Sequence, residues 1–117
     1  MNNKFKKTIL VDLDGVLNTY KGDFNEHNIP SINEGAFEFI KKLAETYTIK
    51  IFTSRNLFLV SKWIIKNNLE KYINDVTNRK EPCYLIIDDR CINFGGNYQK
   101  TITHIQEFTA WYSVSNN

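Results

Sequence analysis

Asp12 and Asp14 stand two residues apart directly after an apolar run, Thr8–Val11, and a glycine follows at position 15. Side chains alternate along a strand, so residues two apart enter the same space. Carboxylates held that close repel unless a proton or a cation lies between them. Mg2+ takes oxygen ligands from one or two carboxylates plus water and phosphate, so the pair suits Mg2+-assisted phosphate chemistry better than a structural turn. Three more polar groups follow short apolar runs: Thr53-Ser54-Arg55 after Ile49–Phe52, Lys80 beyond Asp75–Thr77, and Asp88-Asp89-Arg90 after Tyr84–Ile87. Ligands of an open parallel sheet bind outside the carboxyl ends of its strands. A nucleophile, a hydroxyl, a cation and a metal-binding acid are therefore expected along one edge.

Bringing four such groups to one edge requires parallel strands joined by crossover helices, and the intervening segments read that way. Ser31 or Asn33 caps a helix running to about Tyr47, with Ala36, Phe39, Ile40, Leu43 and Tyr47 at helical spacing. Asn56 caps a second, with Leu57, Val60, Trp63 and Ile64 inward and Asn67-Asn68 as its stop. Ile102, Ile105, Phe108 and Tyr112 suggest a last helix from about Thr101 to Tyr112. The expectation is one α/β domain over residues 1–117, a three-layer Rossmann-like parallel sheet with helices on both faces. The irregular stretch at about 15–30 is expected to form a short flap.

Composition narrows the function classes. At 42% hydrophobic and 14% aromatic residues, the 117-residue chain can bury a core, which excludes global disorder. A formal charge of +2 gives no strong electrostatic case for nucleic acid, and Lys4, Lys6 and Lys7 read as a solvated terminal patch. No run approaches the roughly 20 apolar residues of a membrane span. Cys83 and Cys91 read as reduced, buried small hydrophobes, which points to the cytoplasm. His27 and His104 have no ligand-like spacing to them and read as surface residues. Trp63 and Trp111 read as packing residues.

These motifs together resemble the haloacid dehalogenase (HAD) superfamily of phosphohydrolases. Its D-x-D-G-[VT] signature appears as Asp12-Leu13-Asp14-Gly15-Val16, its strand-ending Thr or Ser as Thr53, its Lys as Lys80 and its acidic pair as Asp88-Asp89. The order is kept over about residues 8 to 98. Small bacterial and phage members reading roughly K-P-x-A-x-x-Y-I-D-D-R, then F-x-G-x-W, are closer still. Here Lys80-Glu81-Pro82 shifts the proline by one place, and Tyr98 stands where Trp is common.

The resemblance implies a capless phosphomonoesterase. Asp12 would be the nucleophile forming an aspartyl-phosphate, and Asp14 the acid and base. Thr53 would bind the phosphoryl group beside backbone N–H groups near Leu13 and Ser54, and Lys80 would bind it as a point charge. Mg2+ would be held by Asp12, Asp88 and the backbone carbonyl of Asp14, with Asp89 acting through water. The residues alone leave alternatives open: Asp89 pairing with Arg90 or Arg55, Arg79 replacing Lys80, and Arg55 touching substrate or merely a carboxylate. Tyr20, Lys21, Phe24 and His27 in the flap are candidates for leaving-group recognition. A small phosphorylated substrate, a sugar phosphate or a nucleotide, is expected. The end of a polynucleotide is less favoured, no membrane is expected, and a homo-oligomer could close the open site. The alternative from another class is a non-catalytic HAD-fold module binding a phosphorylated ligand or a protein partner.

Overall fold

The computed structural model describes residues 6–113. Four parallel strands, β1 (Thr8–Asp12), β2 (Thr48–Phe52), β3 (Asp75–Thr77) and β4 (Leu85–Ile87), form one sheet in the order β3-β2-β1-β4. Helix α1 (Ala36–Ala44) joins β1 to β2, α2 (Leu57–Lys66) joins β2 to β3, and α3 (Tyr98–Glu107) follows β4. A short 3-10 turn over Trp111–Ser113 comes last. The fold is thus α/β and Rossmann-like, as the alternation of apolar runs predicts. No helix among the described residues is long and apolar enough to cross a membrane.

Sheet order decides where a ligand can sit. The chain leaves β1 toward β2 and β3 on one side and returns to β4 on the other. The ends of β1 and β4 therefore flank the point where strand order reverses, the usual crevice of an open α/β sheet. The pairs Val11↔Ile51 and Val11↔Ile87 bring the strand ends level. Residues immediately beyond them, Asp12 to Asp14, Thr53 and Asp88-Asp89, consequently share one edge.

The core lies on one sheet face. Ile9, Val11, Ile49 and Ile51 pack with Ile40 of α1, with Val60, Trp63 and Ile64 of α2, and with Leu13, Leu17 and Leu69. The pleat sends Leu10 and Lys50 to the other face. There the Lys50 ammonium pairs with Glu81 at 2.9 Å, which holds the β3–β4 connection against the sheet. That contact raises the Lys50 pKa and lowers that of Glu81, chiefly through the shared hydrogen bond.

Local chemistry explains the helix ends. Asn56 caps α2 as expected, its side-chain oxygen accepting from the Leu59 N–H at 3.0 Å. The helix stops where Asn68 turns left-handed, at φ 61°. Asn68 N–H then reaches the Ile65 carbonyl and Leu69 N–H the Ile64 carbonyl, each at 3.0 Å. These two bonds close a Schellman motif with the buried Leu69 as its hydrophobic plug.

Several expectations need correction. Cys91 is exposed and Cys83 only half-buried, so neither is a core residue. Helix α1 starts at Ala36 after Gly35 (φ 90°) with no side-chain cap. Asn33 is occupied elsewhere, its amide donating to the carbonyls of Val16 and Asn18 and so fastening the flap. The helix ends at Ala44, with Phe39 exposed and Tyr47 half-buried just beyond. Helix α3 begins earlier, where Asn97 caps it through Lys100 N–H at 2.8 Å, and ends at Glu107, because Phe108 is extended (ψ 137°). No residue of α3 is buried, so its apolar positions Ile102 and Ile105 do not face the sheet.

Candidate active site

Beyond β1 and β4 the structure forms a cavity of about 300 Å3. Asp12, Asp14, Thr53, Ser54, Asp88 and Asp89 line it, with Tyr20 and Phe24 of the flap and Arg90. One carboxylate oxygen each from Asp12, Asp88 and Asp89 lies within 4.8 Å of the others. The Asp88 carboxylate accepts from the Arg90 N–H at 2.9 Å, a turn that fixes the loop after β4. Both Asp89 oxygens are buried without a hydrogen-bond donor among the described residues. Two ionised carboxylates cannot satisfy one another, so the arrangement favours a proton or a cation between Asp89 and Asp12.

Burial pushes the Asp12 carboxyl up to about 8 from its ordinary 3.8, helped by the Asp89 carboxyl close beside it and by the charges of Asp88 and Asp89. The Leu13 backbone N–H works the other way by donating to the carboxylate. A cation here would remove both the burial penalty and the mutual repulsion. An all-oxygen, all-carboxylate set fits a hard ion such as Mg2+. Gly15 makes the approach possible: its φ is 84°, and a Cβ there would collide with the Asp89 carboxylate and with Tyr112.

Asp14 points elsewhere. Its carboxylate accepts from Arg55 Nε at 2.8 Å and from the Asn18 amide at 3.0 Å, so its side chain is not part of the acidic cluster. The Arg55 side chain is 1% exposed, whereas that of Asp14 is 18% exposed on the cavity side. Asn18, fully buried, also accepts from the N–H groups of Gly15 and Tyr20 and ties the flap to the loop after β1. The backbone around Asp14 is therefore held from both sides.

Thr53 is placed by the sheet itself, its N–H donating to the Thr77 carbonyl at 3.0 Å and its hydroxyl accepting from Arg55 N–H at 3.1 Å. Ser54 beside it is exposed to the cavity. Leu13 is fully buried, so only its backbone can serve a ligand. Lys80 is not brought in. It is exposed on the β3–β4 connection and does not line the cavity. Its neighbour Glu81 is paired with Lys50 of β2, so this stretch of the connection lies against β2, one strand from β1. Arg90 supplies the cavity with a cation from the β4 side.

Sequence reasoning missed the contribution of the C-terminal segment. Trp111 Nε1 donates to the Gly15 carbonyl at 2.7 Å. The Tyr112 ring meets Tyr20 edge-on at 6.0 Å, and its hydroxyl accepts from Arg90 Nη1 at 3.2 Å. That bond raises the Arg90 pKa. These residues brace the loop carrying Asp14 and the base of the flap. Their spacing reads only as helix packing, because a contact spanning 96 residues leaves no local signature.

Neither protein-family models nor curated proteins yield a match. Among solved structures, a conserved protein from Bacteroides thetaiotaomicron aligns with a TM-score of 0.58 at 19% identity, covering 96% of this chain and 99% of its own. At that identity the likeness speaks for the fold: both chains share one α/β architecture along nearly their whole length.

Proposed function

We propose that the protein is a Mg2+-dependent phosphomonoester hydrolase acting through an aspartyl-phosphate on Asp12. The observation that carries this reading is the Asp12–Asp88–Asp89 cluster, with two buried carboxylate oxygens lacking a donor, beside a separately held Asp14. The ordered HAD-like motifs support it, since all but Lys80 converge on one cavity. Asp12, Asp88 and Asp89 would hold the metal, which would neutralise charge on the phosphoryl group.

Asp12 Oδ attacks phosphorus as the bond to the leaving oxygen breaks, and Asp14 delivers the proton that oxygen needs. Asp14 then takes a proton from the water that attacks the acyl-phosphate, returning Asp12 to a carboxylate. Arg55 and Asn18 keep Asp14 in place through both steps. The Thr53 hydroxyl and the Leu13 and Ser54 N–H groups are suited to the phosphoryl oxygens. The substrate in this reading is a small phosphate ester met in the cytoplasm, and Lys80 has a role only if it swings in on substrate binding.

Fluoroberyllate binding tests the reading, because that anion mimics a phosphoryl group on a carboxylate. With Mg2+ present, 19F NMR is expected to show a bound signal in the wild type that Asp12→Asn abolishes. No bound signal from folded, Mg2+-supplied wild type would count against the nucleophile and favour a non-catalytic phosphate-binding module.

A further inference from the structure

Arg55 is built into the fold more deeply than the hydrolysis of a phosphate ester requires. Its Nε holds Asp14 and its Nη1 donates to the Asn25 carbonyl of the flap at 2.9 Å, yet Nη2 is buried with no partner among the described residues. The Phe24 ring lies 4.5 Å from the guanidinium carbon. Arg55 also belongs to the wall of a second cavity, of about 480 Å3, together with Phe24, Glu26, His27, Ser54 and Asn56. Phe24 and Ser54 line both cavities, so the two adjoin at those residues.

We propose that this second cavity is the leaving-group subsite, and that it selects an alcohol carrying a second anionic group, a carboxylate or a second phosphate, received by Arg55 Nη2. The inference rests on the phosphatase reading of Asp12 and Asp14. A group that protonates the leaving oxygen fixes where that oxygen lies, and Arg55 stands one hydrogen bond beyond Asp14. The rest of the alcohol therefore departs toward the wall Arg55 helps to form. Arginine presents a planar fork suited to the paired oxygens of carboxylate or phosphate, and a buried N–H without an acceptor favours a ligand that brings one. Glu26, the carboxylate on that wall, is exposed, lies 3.3 Å from His27 and makes no hydrogen bond to Arg55 among the described residues. The Phe24 ring that lies over the guanidinium is 54% exposed, and in this proposal it turns aside to admit the ligand.

Matched esters test this directly. Phosphoglycolate and ethyl phosphate differ only in a carboxylate for a methyl group, and 1,3-propanediol bisphosphate and propyl phosphate form the corresponding second-phosphate pair. With Mg2+, the wild type is expected to hydrolyse at least one anionic member with a kcat/KM at least ~10-fold above its neutral partner, and the responding pair identifies the anion. Arg55→Lys, which keeps a cation beside Asp14 but loses the fork, is expected to bring that ratio within ~3-fold. A merely structural role would lower both esters alike and leave the ratio unchanged, which would overturn the assignment to Arg55. Equal kcat/KM within both pairs in the wild type would overturn the subsite while leaving the phosphatase reading intact. Hydrolysis of none of the four would overturn that reading and the subsite with it. The wild-type comparison decides whether the subsite selects an anion even where the variant fails to fold.

Discussion

Three carboxylates share a space that two would fill uncomfortably, and Asp12 bears most of the strain. Its pKa, about 8 in the folded protein against an ordinary 3.8, means that the fold holds a proton the unfolded chain gives up. The stability this group contributes is fully present below about pH 4 and is lost as pH rises through about 8. Metal-free wild type is therefore expected to lose more thermal stability between pH 5 and pH 9 than Asp12→Asn, read from paired melting curves. Parallel pH profiles would contradict the assignment. Gly15 supports the same cluster from the backbone. Gly15→Ala combines a left-handed φ with a collision against Asp89 and is expected to cost about 1–3 kcal/mol in denaturant unfolding. Asp12, Asp14, Thr53 and the acidic pair were legible because each follows an apolar strand. The partners of Asp14 were not, since Arg55 sits 41 residues away and only the folded chain shows that it turns inward.

Among the elements, those with local chemistry were the readable ones. Helix α2 announces itself through the Asn56 cap, the inward Val60, Trp63 and Ile64, and the Asn67-Asn68 stop, and each feature recurs in the structure. Helix α1 was misjudged at both ends, because Asn33 looks like a cap but spends its amide on the flap. The period of α3 was real, yet its apolar positions find no sheet to cover, and nothing in a period says whether a neighbour exists. The final turn does more for the site than α3 itself. Trp111→Phe keeps an aromatic ring but removes the donor to the Gly15 carbonyl, and is expected to cost about 1 kcal/mol of stability by chemical denaturation. No loss of stability would show that the hydrogen bond contributes nothing.

For the molecule as a whole, the placement of the candidate site follows from strand order. Placing β1 between β2 and β4 puts the nucleophile candidate at the reversal point and the acidic pair next to it. Lys80, on the β3–β4 connection, stays outside the cavity lining. Alternating strands and helices predict parallel strands, but not which one lies in the centre; the long-range pairing of Ile9 with Leu85 decides that. The described chain carries a flap that lines the cavity of about 300 Å3 at this edge, and a C-terminal segment that braces the loop after β1. The most direct measurement is phosphate release from a panel of small phosphomonoesters with and without Mg2+, run beside Asp12→Asn. The account predicts Mg2+-dependent turnover that falls at least ~1,000-fold in Asp12→Asn. Turnover that survives the substitution, or that ignores Mg2+, would contradict it.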